Sequence, residues 1–186
     1  MAELQCVDGS VLAVLPVPVL DREGVPYEAR LRLLRDGEPF GGVGECSAWQ
    51  LARLAELLHD PDDPPPAGVE ALLASGLVDR TDPRWPALQR SLPRDRELLC
   101  LRARDPDDDL GAEGELRVEL RDDRAWRPGP AGTPGRWVVR VVVVVDAWGA
   151  SGAGLRARTD VDGLRRFVDA LIAECVAAGA REQARA

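Results

Sequence analysis

The chain holds one histidine, His59, and four cysteines, Cys6, Cys46, Cys100 and Cys175. Any Ser-His or Cys-His catalytic pair must therefore use His59, and a multi-histidine metal site is excluded. His59 ends an apolar helical pattern and stands beside Asp60, near Asp62 and Asp63; a helix C-terminus favours a cation there. Cys46 precedes the same helix, where the dipole and free N–H groups can lower a thiol pKa. Glu45, Cys46 and His59 are thus the residues from which a small enzyme or small-molecule site would be built. The simpler expectation is a buried apolar Cys46 and a helix-end His59.

Other candidate motifs fail on spacing. An EF-hand loop beginning at Asp105 needs Gly at 110 and Glu at 116, and Leu110 and Leu116 stand there. Gly41 to Gly44 lacks GxGxxG, and a chain without lysine has no Gly-Lys-Ser/Thr loop. Gly149 to Gly154 contains Ser151 but not GxSxG. The paired carboxylates have no spacing that selects a catalytic couple. No cofactor and no metal are expected. Trp126 is different: it is read as a loop residue with Arg124 and Arg127, where an exposed indole could anchor a partner. With the acidic loop residues Asp107, Asp108 and Asp109, these form the candidate partner-binding set.

Composition narrows the class of partner. The 186 residues carry a net charge of −8, and every basic side chain except His59 is arginine, which reflects a GC-rich genome. An acidic surface repels nucleic-acid phosphates and anionic lipid, so neither is expected. The longest apolar run, Trp137 to Val145, is broken by Arg140 and is too short to span a bilayer. No signal-peptide pattern opens the sequence. The cysteines are irregularly spaced without CxxC, so free thiols in a reducing, cytoplasmic setting are expected.

Positioning elements follow from periodicity. Leu12 to Leu15, limited by Pro16 and Pro18, reads as an edge strand or an extended lead-in. Tyr27 to Leu33 alternates with Glu28, Arg30 and Arg32 on a wet face, and Asp36-Gly37 turns the chain into a hairpin partner from Phe40. The glycines of that partner would permit a bulge. Ser47 and Gln50 match a capping box for a helix carrying Leu51, Leu54 and Leu58. Residues 60–93 form a Pro-rich insertion with two short helices, Val69 to Ser75 and one starting at Asp82-Pro83. Strands are expected over Glu97 to Arg104, Glu115 to Arg121, Trp137 to Trp148 and Leu155 to Thr159. The valine run of the third implies burial on both faces or a central position. A last helix, capped by Asp160, carries Leu164, Phe167, Val168, Leu171, Ile172 and Cys175 on one stripe and is expected to stop at Gly179. The expected fold is a single α+β domain over 1–180 with a frayed tail at 181–186. Its antiparallel sheet would have about six to seven strands, with the central and C-terminal helices packed on one face.

Five stretches together resemble the immunity protein family of the WapI contact-dependent toxin and related actinobacterial proteins: Glu28 to Asp36, Ser47 to Leu58, Glu115 to Asp122, Trp137 to Val145 and Thr159 to Ile172. The likeness rests on order and patterning over about half the chain, and the Pro-rich insertion departs from it. The resemblance implies a non-catalytic protein that neutralises a cognate toxin, and an acidic face would suit a basic toxin. A non-catalytic, immunity-like binding protein is therefore the leading expectation. The alternatives are the Glu45, Cys46 and His59 site, or an assembly subunit that uses an exposed strand edge to form a homodimer.

Overall fold

The structure is a computed structural model that describes residues 1–44, 47–59, 66–78, 96–102, 114–149, 152 and 154–185. Eight strands and three helices lie in these residues. Strands β1 (Ala2–Gln5), β2 (Val11–Leu20), β3 (Pro26–Arg35) and β4 (Glu38–Val43) precede helices α1 (Ser47–Leu57) and α2 (Ala67–Ala74). Strands β5 (Glu97–Arg102), β6 (Gly114–Arg127), β7 (Arg136–Gly149) and β8 (Gly154–Thr159) precede helix α3 (Val161–Gln183). The class is α+β, but the one sheet expected is two: β1-β2-β3-β4 and β5-β6-β7-β8, both antiparallel meanders. Alternation marks a half-buried strand without stating which sheet it joins.

Local chemistry explains most of the elements. Asp36 and Gly37 take positive φ values of 50° and 90°, the two-residue turn that matches strand twist. The Ser10 carbonyl accepts from Cys6 N–H at 2.8 Å, and the Val11 carbonyl accepts from Asp36 N–H at 3.0 Å. The even-numbered residues of β2 therefore turn their backbone groups toward β1. Since β1 pairs only as far as Val14, Pro16 and Pro18 fall on the open edge, where a missing N–H breaks no ladder.

One buried cluster joins both sheets and all three helices, including Leu12 and Leu31, Leu116 and Val145, Leu54, Leu72 and Leu171. Helix α3 packs against β1, β2 and β3, and also touches β7 and β8. The Asp160 side chain accepts from Gly163 N–H at 2.7 Å, as its N-cap pattern predicts. The expected stop at Gly179 is not observed. The helix continues to Gln183, and Gly179 is buried within it beside Leu77. The capping box at Ser47 is not the cap found either. Ser47 Oγ donates to the Gly44 carbonyl at 2.7 Å, while Glu28 Oε1 accepts from Ala48 N–H at 2.9 Å.

The two sheets also meet directly. Cys6 bridges Ala157, and Val7 N–H donates to the Arg156 carbonyl at 2.8 Å. On the other flank Gly44 N–H reaches the Arg102 carbonyl at 3.4 Å. There the glycine-rich segments have a structural use. A Cβ on Gly41 would lie 3.0 Å from Gly149 Cα, and one on Gly114 would lie 2.6 Å from the Gly42 carbonyl oxygen. Backbone approaches this close require glycine.

Candidate functional site

Strands β6 and β7 outrun their neighbours. β5 pairs with β6 only as far as Glu119, and β8 pairs with β7 only from Val143 to Trp148. The β6–β7 ladder continues without a register shift through Trp126↔Trp137 to Arg127↔Arg136. Residues 121–127 and 136–142 thus form a two-stranded arm beyond the sheet, closed by the loop Pro128 to Gly135.

The period-2 rule fixes what the arm presents. Val143, Val145 and Ala147 of β7 are buried in the core, opposite Leu120, Val118 and Leu116. The same row continues outward as Val141, Val139 and Trp137, exposed to 60%, 55% and 66%. Across from these stand Asp122, Arg124 and Trp126, the indole of Trp126 being 53% exposed. The core-facing side of the second sheet is therefore carried past the core. The five-valine run lies on an inner strand, as its composition implies, and Val143, Val144 and Val145 are buried, but Val141 stands in the open.

Trp126, Arg124 and Arg127 are strand residues rather than loop residues, and they lie together on the arm. Arg124 shares the apolar face with Trp126, and Arg127 pairs with Arg136 at the distal end. Asp107, Asp108 and Asp109 lie outside the described residues, as do Glu45, Cys46 and the expected helix after Asp82. Sequence reasoning missed Trp137, Val139 and Val141, whose apolar character alone read as core.

The opposite face of the second sheet is charged but internally paired. Arg117 lies 2.8 Å from Glu115 and 3.5 Å from both Glu97 and Glu119, with its guanidinium 6.0 Å from the centre of the Trp148 ring. Asp146, only 3% exposed, is held by Arg156 at 2.5 and 3.0 Å and by Arg121 at 3.6 Å. These contacts use the charges within the chain, in contrast with the arm's uncovered apolar row.

Neither a family model, nor a curated protein, nor a solved structure matches this chain. The site must be judged on its own chemistry. His59 lines an apolar groove of about 690 Å³ between α1, α2 and α3, with Leu58, Ala71, Arg165, Asp169 and Ile172. Arg165 Nε donates to the Leu58 carbonyl at 2.7 Å. Among the described residues no group of three or more His, Cys, Asp or Glu side chains could hold a metal ion. No helix among them is long and apolar enough to cross a membrane.

Nor do the described thiols suit nucleophilic work. Cys6, Cys100 and Cys175 are free. Burial raises the first two above the ordinary thiol value and pushes Cys175, on the core side of α3, up to about 12. Cys175, held protonated in the apolar core, is inert, whereas Cys100 is half-buried on the charged face beside Glu115 and Arg117.

Proposed function

We propose that this chain is a non-catalytic binding protein that takes a protein partner on the apolar face of its β6–β7 arm. The carrying observation is the core-facing row continued into the open as Val141, Val139 and Trp137 beside Trp126. A contiguous exposed apolar stripe marks an interaction site, and tryptophan flanked by arginine is the common composition of binding hot spots.

Charge refines the partner's chemistry. The chain carries −8 overall, but the apolar face of the arm has one charge of each sign, Arg124 and Asp122, and Asp122 is already bridged by Arg96 at 3.0 Å. Arg124 beside Trp126 favours a partner surface that is apolar with an acidic group near it. Toxin neutralisation, as implied by the likeness to WapI-like immunity proteins, is a special case of this reading. The arm would meet an acidic patch on such a toxin, and a basic toxin would be met by the acidic body. The free thiols support a reducing, cytoplasmic setting.

The test is photo-crosslinking in the native cell from position 137, with position 158 on the other face of the second sheet as control. A protein captured from 137 and not from 158 is expected. Once purified, it should bind the Trp137→Ala variant about thirtyfold more weakly, equivalent to ~2 kcal/mol. Identical capture from both positions, or undiminished binding by the variant, overturns the reading.

A further inference from the structure

The arm has an edge as well as a face, and the edge has a hydrogen-bonding polarity that can be read. Val7 N–H donates to the Arg156 carbonyl, and Cys6 bridges Ala157. Arg156 therefore points its backbone groups at β1. Ala157, one residue on, points its groups at β7 and shares a hydrogen-bonded pair with Val145. No bulge interrupts β7, so the alternation carries outward from Val145. Val143, Val141, Val139 and Trp137 all aim N–H and C=O away from β6. Beyond Val143 nothing among the described residues pairs with them.

This edge lacks the usual protection. Exposed edges are ordinarily blunted by charge, proline or a bulge. The β6 edge follows that rule with Arg121, Asp122, Asp123 and Arg124 in succession. The β7 edge reads Trp137-Val-Val-Arg-Val-Val142, strongly strand-forming with a single charge.

A two-fold axis normal to the ribbon requires each residue to face one whose side chain lies on the same side. One residue must then sit opposite its own counterpart. Centring the pairing on Val138 sets Arg136 against Arg140 of the other copy. Centring on Arg140 sets that arginine against itself. Like charges directly opposite are destabilising. Centring on Val141 requires Val143, whose edge is already used by Thr159. Centring on Val139 uses the whole free edge with no like charges opposed. Trp137 then faces Val141, Val138 faces Arg140, and Arg136 faces Val142. Arg140 also has Asp123 across from it within its own chain.

We infer that two copies of this chain pair antiparallel along β7, with Val139 opposite Val139 and Trp137 opposite Val141. The three outward-pointing pairs exchange both N–H···O bonds, and the isologous contact closes at two copies rather than propagating. The product is a four-stranded ribbon whose apolar face doubles the Trp126, Trp137, Val139 and Val141 row. This pairing uses the edge, whereas the proposed partner uses the face, so neither depends on the other.

Sedimentation of the full chain at about 100 µM, where a micromolar association is largely complete, should give the dimer mass. Val139→Asp and Val139→Arg each set like charges at the axis and should be monomeric. An equimolar mixture should restore a dimer, now heteromeric. A wild-type monomer at that concentration overturns the inference, as does a dimer indifferent to both substitutions. Should a variant not fold, wild-type amide exchange decides. Protection of the Trp137, Val139 and Val141 amides should rise with protein concentration, while the outward amides of Asp122 and Arg124 stay unprotected. Concentration-independent exchange at 137, 139 and 141, or protection that rises on β6 instead, overturns the pairing. Trp137→Ala keeps the backbone bonds, so it should still dimerise while losing the partner, which separates the two readings.

Discussion

Trp126 and Trp137 face one another across the arm, their ring centroids 5.5 Å apart and their planes at 66°. An edge-to-face pair adds ~0.5–1.5 kcal/mol beyond burial. It joins the two strands just before the Pro128 to Gly135 loop. A two-stranded hairpin standing outside a sheet is marginal by itself, so this contact holds the projecting end in register. Gly135 lies against the Trp126 ring so closely that a Cβ there would collide with it. The arm is thus built around its indole pair.

Gly135→Ala should therefore loosen the arm without touching the core. Amide exchange at residues 121–127 and 136–142 is expected to accelerate by about tenfold, equivalent to ~1.4 kcal/mol of local stability. The thermal midpoint should stay within about 2 °C of wild type. A large midpoint drop would mean that the arm is packed against the body.

Glu28 presents a buried carboxylate, 4% exposed, whose Oε1 accepts from Ala29 N–H at 2.8 Å and Ala48 N–H at 2.9 Å. It ties β3 to the first turn of α1, where the helix dipole favours a negative charge. Glu28→Ala should cost ~2–3 kcal/mol because it leaves buried donors unsatisfied. Urea unfolding should show a lower midpoint with an unchanged slope. A loss below ~0.5 kcal/mol would remove this capping role.

What the sequence shows is what local chemistry decides. The Asp36-Gly37 turn, the alternation of β6 and the apolar stripe of α3 are set by neighbours along the chain, and the structure has all three. Glu28 reads as a wet-face residue because strand alternation gives no hint that a helix start, twenty residues later, arrives against its carboxylate. The division into two sheets depends on which strand edges meet, a property of the glycine contacts rather than of any pattern. Trp126, Arg124 and Arg127 could be found because an Arg-Trp cluster is unusual among few aromatics. Val139 and Val141 could not be told from Val143 and Val145. Their exposure depends on where β5 and β8 stop.

The buried thiol of Cys175 gives a pH dependence with a definite sign. Burial raises it from the ordinary value of 9.0 to about 12 in the folded chain. Below pH 9 the thiol is protonated in both states and its contribution is complete. Between pH 9 and 12 the unfolded chain loses this proton while the folded chain keeps it. Stability should then fall as pH rises, by about 1.4 kcal/mol per pH unit at most. Urea midpoints measured from pH 8 to 11 should decline less steeply for Cys175→Ala than for wild type. Equal slopes would show that the thiol ionises freely in the folded state.

Gly149 marks the place where the two sheets touch, since a Cβ there would overlap the Phe40 carbonyl oxygen. Its counterpart Gly41 is less constrained, with a Cβ placed 3.0 Å from Gly149 Cα. An overlap with backbone cannot be relieved by turning a side chain, so the sheets must separate or β7 must bend. Gly149→Ala should cost ~3 kcal/mol or more and Gly41→Ala ~1–2 kcal/mol, within the range for overpacked sites. Urea unfolding of both variants gives the order. If Gly149→Ala unfolds with the wild-type midpoint, the sheets are not held by this contact, and the junction rests on the Cys6–Ala157 bridge, the Gly44-to-Arg102 hydrogen bond and the shared core.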